Sequence, residues 1–202
     1  MAPRLLFATT NVGKLRELRG LMGDAVEVVS LRDLPPIPEP VEDGATFEDN
    51  ALLKARAYAE ATGLPALADD SGLCVDALDG RPGVLSARYA EGDDRARYEK
   101  LLTELASVPD EARTAAFVCA LCLVLPGDAS PTIEMGRCEG RIGHAPRGTH
   151  GFGYDPVFVL PDGRALAELT SEQKASLSHR GVAFQKMRPH LLARVGGGDV
   201  RR

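Results

Sequence analysis

The residues of this sequence best suited to chemistry are two adjacent carboxylates, Asp69 and Asp70, in the segment LADDSGL. They end a short apolar run and precede Ser71 and Gly72. Carboxylate oxygens are hard ligands that suit Mg²⁺ or Mn²⁺, and strand ends in α/β folds point into ligand crevices. Two like charges this close also shift each other's pKa, which can make one of them a useful base. The alternative is a solvated acidic turn, because Asp, Ser and Gly all favour turns.

A second candidate segment, ATTNVGKLREL over residues 8–18, carries a polar, glycine-containing turn into the start of a helix. Such a turn aims backbone N–H groups and the positive end of the helix dipole at an anion, and Lys14 adds a point charge suited to phosphate. The segment lacks the GxxxxGK[ST] pattern of a Walker A loop. The alternative is an ordinary helix with an Asn11 cap and a solvated Lys14.

Two further segments place polar or aromatic groups where a ligand could use them. Residues 46–57 (TFEDNALLKARA) carry Lys54 on a predicted helix, where most charged side chains simply face solvent. Residues 148–158 (GTHGFGYDPVF) bracket Phe152 with glycines, so that backbone can approach a ligand and the ring can stack on a nucleobase. A purely structural turn is the alternative for that loop.

The last candidate segment, LTSEQKASLSHRG over residues 169–181, supplies hydrogen-bond donors near a helix break. Lys174, His179 and Arg180 could address the carbonyl oxygen of a purine. The alternative is a basic helix end that complements its own dipole.

The elements that must position these residues alternate between strand and helix early in the chain, while strands cluster later, which favours a mixed-sheet α/β protein. The predicted strands cover residues 4–9, 26–29, 65–78 (interrupted by the acidic turn), 114–125, 131–142 and 154–160. The predicted helices cover residues 13–23, 46–63, 94–107 and 171–194, the last broken near 179–181. Asn11, Thr46 with Asp49, and Asp93 or Asp94 are the predicted helix caps, and Gly63 is a predicted helix end.

Composition excludes several classes of protein. The chain has 202 residues, 44% apolar and 26% charged, which fits one domain over residues 1–195 with a flexible tail over 196–202. A formal net charge of −5 argues against tight, sequence-independent binding of nucleic acid, where phosphate neutralisation dominates affinity. No apolar run approaches the roughly 18 to 20 residues that span a bilayer, and residues 1–7 lack the features of a signal peptide, so a cytoplasmic location is expected.

The four cysteines do not form a recognisable metal or disulfide pattern. Cys119 and Cys122 make a CxxC pair inside the apolar run FVCALCLVLP, which is typical of a buried strand. Residues three apart on a strand point to opposite faces and would not converge on one metal. Buried free thiols are therefore the favoured interpretation.

Taken together and in this order, the candidate segments resemble the inosine triphosphate pyrophosphatase family, in its bacterial branch that hydrolyses dITP, ITP and XTP. The stretches that carry the resemblance extend over nearly the whole chain. They are FATTNVGKLREL (7–18), TFEDNALLKA (46–55), LADDSGLCVDALDGRPGVLSARYA (67–90), HGFGYDPVF (150–158) and ELTSEQKASLSHRG (168–181).

The resemblance implies an α/β fold with an elongated mixed β-sheet, flanking helices and two lobes around a central cleft. It implies a homodimer, and a Mg²⁺-dependent reaction in which Mn²⁺ could substitute. That reaction hydrolyses non-standard purine nucleoside triphosphates to the monophosphate and pyrophosphate, which keeps them out of nucleic acids.

The resemblance also implies roles for individual residues. Asp70 would be the catalytic base and a metal ligand, with Asp69 and Glu42 on the metal side. The implied substrate-binding residues are Thr9, Thr10, Asn11, Val12, Gly13, Lys14, Lys54, Ser71, Phe152, Gly153, Tyr154, Asp155, Lys174, His179 and Arg180.

Two other functions are compatible with parts of the sequence. A nucleotide-binding regulatory module without turnover would use the same phosphate contacts, but it would gain little from unneutralised carboxylates beside phosphate. A nuclease would also use paired carboxylates and Mg²⁺, but the net charge of −5 and the absence of a long basic stripe argue against it.

Overall fold

Six strands form one mixed sheet in the computed structural model, which describes residues 3–22 and 26–196. They are β1 (Arg4–Phe7), β2 (Glu27–Ser30), β3 (Ala66–Val75), β4 (Thr114–Val124), β5 (Thr132–Ile142) and β6 (Phe158–Val159). Their order across the sheet is β2-β1-β3-β4-β5-β6. β1 pairs in parallel with β2 and β3, whereas β6 is antiparallel to β5, so the predicted mixed sheet is confirmed.

The first three of the five described helices begin where the sequence predicts caps. They are α1 (Val12–Met22), α2 (Phe47–Thr62), α3 (Asp94–Glu104), α4 (Ser171–Leu177) and α5 (His179–Arg194). The Asn11 side chain accepts the N–H of Lys14 at 3.1 Å at the start of α1. Thr46 and Asp49 form the predicted capping box of α2, which ends at Gly63 in the left-handed conformation. The contacts that fix these helix ends join residues only three or four positions apart, so the spacing of residue types in the sequence is enough to predict them.

The described residues divide into two compact units, and the first comprises residues 3–22, 26–70, 119–136 and 180–196. Its core lies between one face of the sheet and helices α1 and α5. The buried side chains include Leu5, Phe7, Leu15, Leu18, Leu67, Leu121, Phe184 and Met187. Because side chains alternate along a strand, Leu67 and Asp69 share this face, and Asp70 lies on the opposite face with α2.

The second unit comprises Ser71–Val118 and Arg137–His179. Its apolar core includes Leu73, Val75, Leu101, Leu105, Phe117, Ile142, Val157, Phe158 and Leu166. Arg113 is buried here and donates to three backbone carbonyls, those of Leu105 at 2.6 Å, Ile142 at 2.8 Å and Gly143 at 2.8 Å. These bonds satisfy donors whose burial would otherwise cost free energy.

Two predicted segments differ from the structure. The prediction of an acidic turn at Asp69 and Asp70 is wrong. β3 continues unbroken through both residues, and both side chains are buried beside hydrogen-bond donors. Of the strand predicted over residues 154–160, only the two residues of β6, Phe158–Val159, form a strand. Pro156 has no N–H for a ladder, and the N–H groups of the next two residues both donate to the Tyr154 carbonyl, which makes a turn.

Smaller differences concern ends of elements. α3 stops at Glu104 rather than near residue 107, and the break in the last helical segment falls at Ser178. The predicted flexible tail lies outside the described residues from position 197 onward. Among the described helices, none is both long and apolar enough to cross a membrane.

Candidate active site

The side chain of Lys54 contacts two other predicted site residues, Asp70 and Glu42. The Lys54 Nζ donates to Asp70 Oδ1 at 2.9 Å and to Glu42 Oε2 at 3.1 Å. Asn50, one turn earlier on α2, donates from Nδ2 to Asp70 Oδ2 at 3.3 Å. Burial opposes the charge of Lys54, but the two carboxylates outweigh it and raise the Lys54 pKa. The alternative of a solvent-facing Lys54 is therefore wrong, since only 9% of the residue is exposed.

Asp70 is a buried carboxylate with a raised pKa. Burial is the largest influence and disfavours the charged form, while Lys54 partly offsets it. A carboxylate made more basic in this way, yet held by donors on both oxygens, is suited to accept a proton.

Asp69 is held by cations on the other face of β3. Its Oδ1 pairs with the Lys14 ammonium, and its Oδ2 accepts from Arg180 Nε at 2.7 Å and from Cys119 Sγ at 3.2 Å. Arg180 also pairs through Nη1 with Glu17 of α1. Burial alone would raise the pKa of Asp69, but Arg180 and Lys14 outweigh it and hold that pKa well below its usual range.

The loop predicted to bind phosphate joins the end of β1 to the first turn of α1. Thr9, Gly13 and Lys14 are half-buried, whereas Thr10, Asn11 and Val12 are exposed. The Thr9 hydroxyl accepts the N–H of Asn11 at 3.1 Å, which fixes the turn. The loop therefore places exposed residues at a helix N-terminus next to a lysine, an arrangement that suits an anion.

A second group of predicted residues lies within the second unit, around Asp155. Its Oδ2 accepts from the Phe152 N–H at 2.9 Å and from Lys174 Nζ at 2.6 Å. The Lys174 ammonium also lies 4.8 Å from the centre of the Phe152 ring. At Gly151, with φ of +78°, an added Cβ would lie 2.0 Å from Asp155 Oδ2, so only glycine fits this approach.

The remaining residues of that loop are held by backbone contacts. The Gly153 N–H donates to Asp94 Oδ2 at 2.7 Å. The Tyr154 hydroxyl is buried and donates to the Ser86 carbonyl at 2.9 Å. Tyr154 thus anchors the loop through its hydroxyl, while Phe152 is the half-buried ring of the segment.

His179 and Ser71 both belong to the second unit. The His179 ring is buried and stacks on Phe117, with centroids 4.8 Å apart and planes 11° from parallel. Ser71 follows the carboxylate pair on β3 and is half-buried.

The predicted metal ligands fit a divalent cation only in part. Glu42 and Asp70 aim oxygens at one cationic atom, the Lys54 Nζ, so these two hard donors converge as a Mg²⁺ site needs. Asp69 is turned towards Lys14 and Arg180. Within residues 3–22 and 26–196, no three His, Cys, Asp or Glu side chains gather closely enough to hold a metal by themselves. The role of Asp69 as a metal ligand stays a prediction.

The predicted site residues also contact residues to which the sequence analysis assigned no role. These include Glu17, Asn50, Asp94 and Cys119. Asn50 had a detectable signal, since it lies four residues before Lys54 and so shares its helix face. The other contacts join residues 50 or more positions apart, and no local pattern indicates them.

Comparison with known proteins gives consistent matches over nearly the whole chain. The sequence model of the Ham1 family matches residues 5–190. A dITP/XTP pyrophosphatase of Streptomyces coelicolor is 51% identical over 200 residues, covering 96% of this chain and 99% of the relative. One from Geobacter sulfurreducens is 53% identical over 192 residues, covering 93% and 96%. The structure of a HAM1 protein from Coxiella burnetii superposes with a TM-score of 0.83 at 40% identity, covering 96% of this chain and all of that one.

Proposed function

This chain belongs to the Ham1 family, and on that premise we propose that it hydrolyses non-canonical purine nucleoside triphosphates to the monophosphate and pyrophosphate. The substrates we propose are dITP, ITP and XTP, with Mg²⁺ as the cofactor and Mn²⁺ as a substitute. We further propose that the enzyme acts as a homodimer in the cytoplasm.

The observation that carries the proposal is the buried contact between Asp70, Lys54 and Glu42. Cleavage between the α and β phosphates needs a water molecule aligned with the α phosphorus and a group that accepts its proton. Asp70 is the residue we assign to that proton, because burial raises its pKa while Lys54 and Asn50 fix its orientation. Bound Mg²⁺, held by Asp70 and Glu42, would neutralise the charge that develops on the pyrophosphate.

Positive charge for the phosphates comes from this chain's lysines. Lys14 lies in the first turn of α1, next to the partly exposed loop of residues 9–13, and Lys54 lies between two carboxylates. Both ammonium groups are held by carboxylates before substrate arrives, so they are positioned for binding with little further ordering.

Base selection would fall to the loop around Phe152 and to the donors that the family resemblance assigns to the base. A half-buried ring can stack on a purine. Hypoxanthine and xanthine carry a carbonyl acceptor at position six, where adenine carries an amino donor. Lys174, His179 or Arg180 facing adenine would leave donors unpaired, which can cost about 1–3 kcal/mol for each buried group. Guanine shares the six-carbonyl, so GTP must be rejected at its two-amino group.

A panel of nucleoside triphosphates tests the proposal. The purified protein is incubated with Mg²⁺ and ITP, dITP, XTP, ATP or GTP, and pyrophosphate and orthophosphate are measured separately. We expect pyrophosphate from the first three substrates and little product from ATP and GTP. Stepwise release of orthophosphate would indicate a phosphatase, and binding without any product would indicate a regulatory module.

A further inference from the structure

Two buried cysteines of β4 have different surroundings. Cys119 and Cys122 are both fully buried and both free. The Cys119 thiol lies 3.2 Å from Asp69 Oδ2, on the face of β4 that contacts α1 and α5. Cys122 is three residues further along the strand and faces the other way. Of the CxxC pair, Cys119 is therefore the thiol that contacts Asp69, the carboxylate that pairs with Lys14.

The geometry makes Cys119 the donor in this contact. Asp69 is an ionised carboxylate paired with Lys14 and Arg180, so it offers acceptor oxygens and no proton. A thiolate at 3.2 Å would put two negative charges side by side in a buried position, which is unfavourable. The S–H group of Cys119 therefore points at Asp69 Oδ2, beside the Nε–H of Arg180.

We propose that Cys119 is a positioning residue, which acts through Asp69 on Lys14 and thereby sets the affinity of the site for the triphosphate chain. This inference rests on the proposed function for the identity of the bound anion. A carboxylate that accepts a hydrogen bond carries less negative charge for its other partners. Without the Cys119 donor, Asp69 would hold the Lys14 ammonium more firmly, and less of its charge would be available to phosphate.

Three variants separate this role from packing. Cys119→Ala removes the donor and leaves a small cavity, whereas Cys119→Ser has nearly the same volume and restores a donor. Cys122→Ala makes a comparable cavity in the same strand without touching Asp69. We expect Cys119→Ala to raise the Kd of inorganic tripolyphosphate, and the KM for ITP, about tenfold, with kcat changed less than about twofold. Cys119→Ser and Cys122→Ala should stay within about twofold of the unaltered protein.

Calorimetric binding of tripolyphosphate at constant Mg²⁺ is the deciding measurement, because it needs no turnover. Equal Kd values for all four proteins, or equal weakening by Cys119→Ala and Cys122→Ala, would overturn the inference. So would a failure of the unaltered protein to bind tripolyphosphate. If binding follows the expected order while no nucleotide yields pyrophosphate, the proposed function fails and the role of Cys119 in anion binding stands.

Discussion

Asp69 and Asp70 are neighbours in sequence with opposite acid–base properties. Asp69 is surrounded by cationic donors that keep its pKa low, whereas burial dominates at Asp70 and raises its pKa. The two side chains lie on opposite faces of β3, because alternate side chains of a strand point to opposite faces. The pair therefore has two different environments, with a charge anchor on one side and a candidate base on the other.

Replacing the candidate base should abolish turnover and spare binding. Asp70→Asn keeps the size of the side chain and removes its ability to take a proton, so kcat should fall by about 10²–10⁴-fold. The Kd of a non-hydrolysable ITP analogue should change only a few-fold. Glu60→Gln, an exposed change on the same helix as Lys54, is the control. Wild-type rates in Asp70→Asn would remove Asp70 from catalysis.

Replacing the charge anchor should instead weaken the fold in a pH-dependent way. Asp69→Asn removes the buried carboxylate that pairs with both Lys14 and Arg180, so the free energy of unfolding at pH 7 should fall by about 3–5 kcal/mol. The folded-state pKa of Asp69 lies below the ordinary value of 3.8. The stabilisation is thus complete above that value and is lost as the pH falls through the folded pKa.

Urea unfolding of the unaltered protein and of the Asp69→Asn variant, at pH 7 and near pH 3, measures this difference. The gap in unfolding free energy between the two proteins should narrow at the lower pH. A gap that is the same at both pH values would show that the carboxylate charge does not contribute to stability.

At this scale the sequence named candidate residues but not their partners. Residue type and spacing made Asp70, Lys14 and Lys174 candidates, each beside a purely structural alternative, and their roles stay predictions. The bonds that define their chemistry join distant positions, such as Asp69 with Arg180, 111 residues apart. The thiol of Cys119 looked like plain core for the same reason, since its polar contact comes from a different strand.

Individual elements were predictable where local chemistry decides them. The capping box at Thr46 and the left-handed Gly63 fix both ends of α2, and both follow from nearest neighbours in sequence. β3 was predicted with an acidic turn because Asp and Ser favour turns on average. Tertiary donors from α1, α2 and α5 satisfy its carboxylates and override that local preference.

The loop around Gly151 provides a test with a matched control. A Cβ at Gly151 would displace Asp155 from Lys174, so Gly151→Ala should raise the KM for ITP at least about tenfold. Gly127 has a similar φ of +74° but nothing within 4 Å of an added Cβ. Gly127→Ala therefore carries the backbone strain without the clash, and its KM should be unchanged. Similar KM values for the two variants would argue against a role of this loop in base binding.

At the scale of the whole molecule, the matched stretches are spread along the chain rather than confined to one motif. The family model covers residues 5–190, and relatives near 50% identity cover more than nine-tenths of the sequence. The net charge of −5 does not prevent binding of an anionic substrate, because a small ligand responds to the few charged side chains near it rather than to the sum over the chain. Lys14, Lys54 and Arg180 each lie against carboxylates that set their positions.

The predicted homodimer is open to direct measurement. Size-exclusion chromatography with light scattering should give a mass twice the 21.5 kDa of one chain, independent of dilution through the micromolar range. A mass equal to that of one chain would contradict the quaternary structure that the family resemblance implies.

The unbroken course of β3 also constrains how this sequence can change over evolutionary time. Because successive side chains alternate between faces, deleting or inserting a single residue before Asp69 would exchange the environments of the two aspartates. The Asp70 carboxylate, which now contacts Lys54, would then lie on the face of Arg180, and the Asp69 carboxylate would lie on the face of α2. Length changes should therefore be purged from this strand even where they leave its composition intact, while the exposed turn near Gly127 should tolerate them.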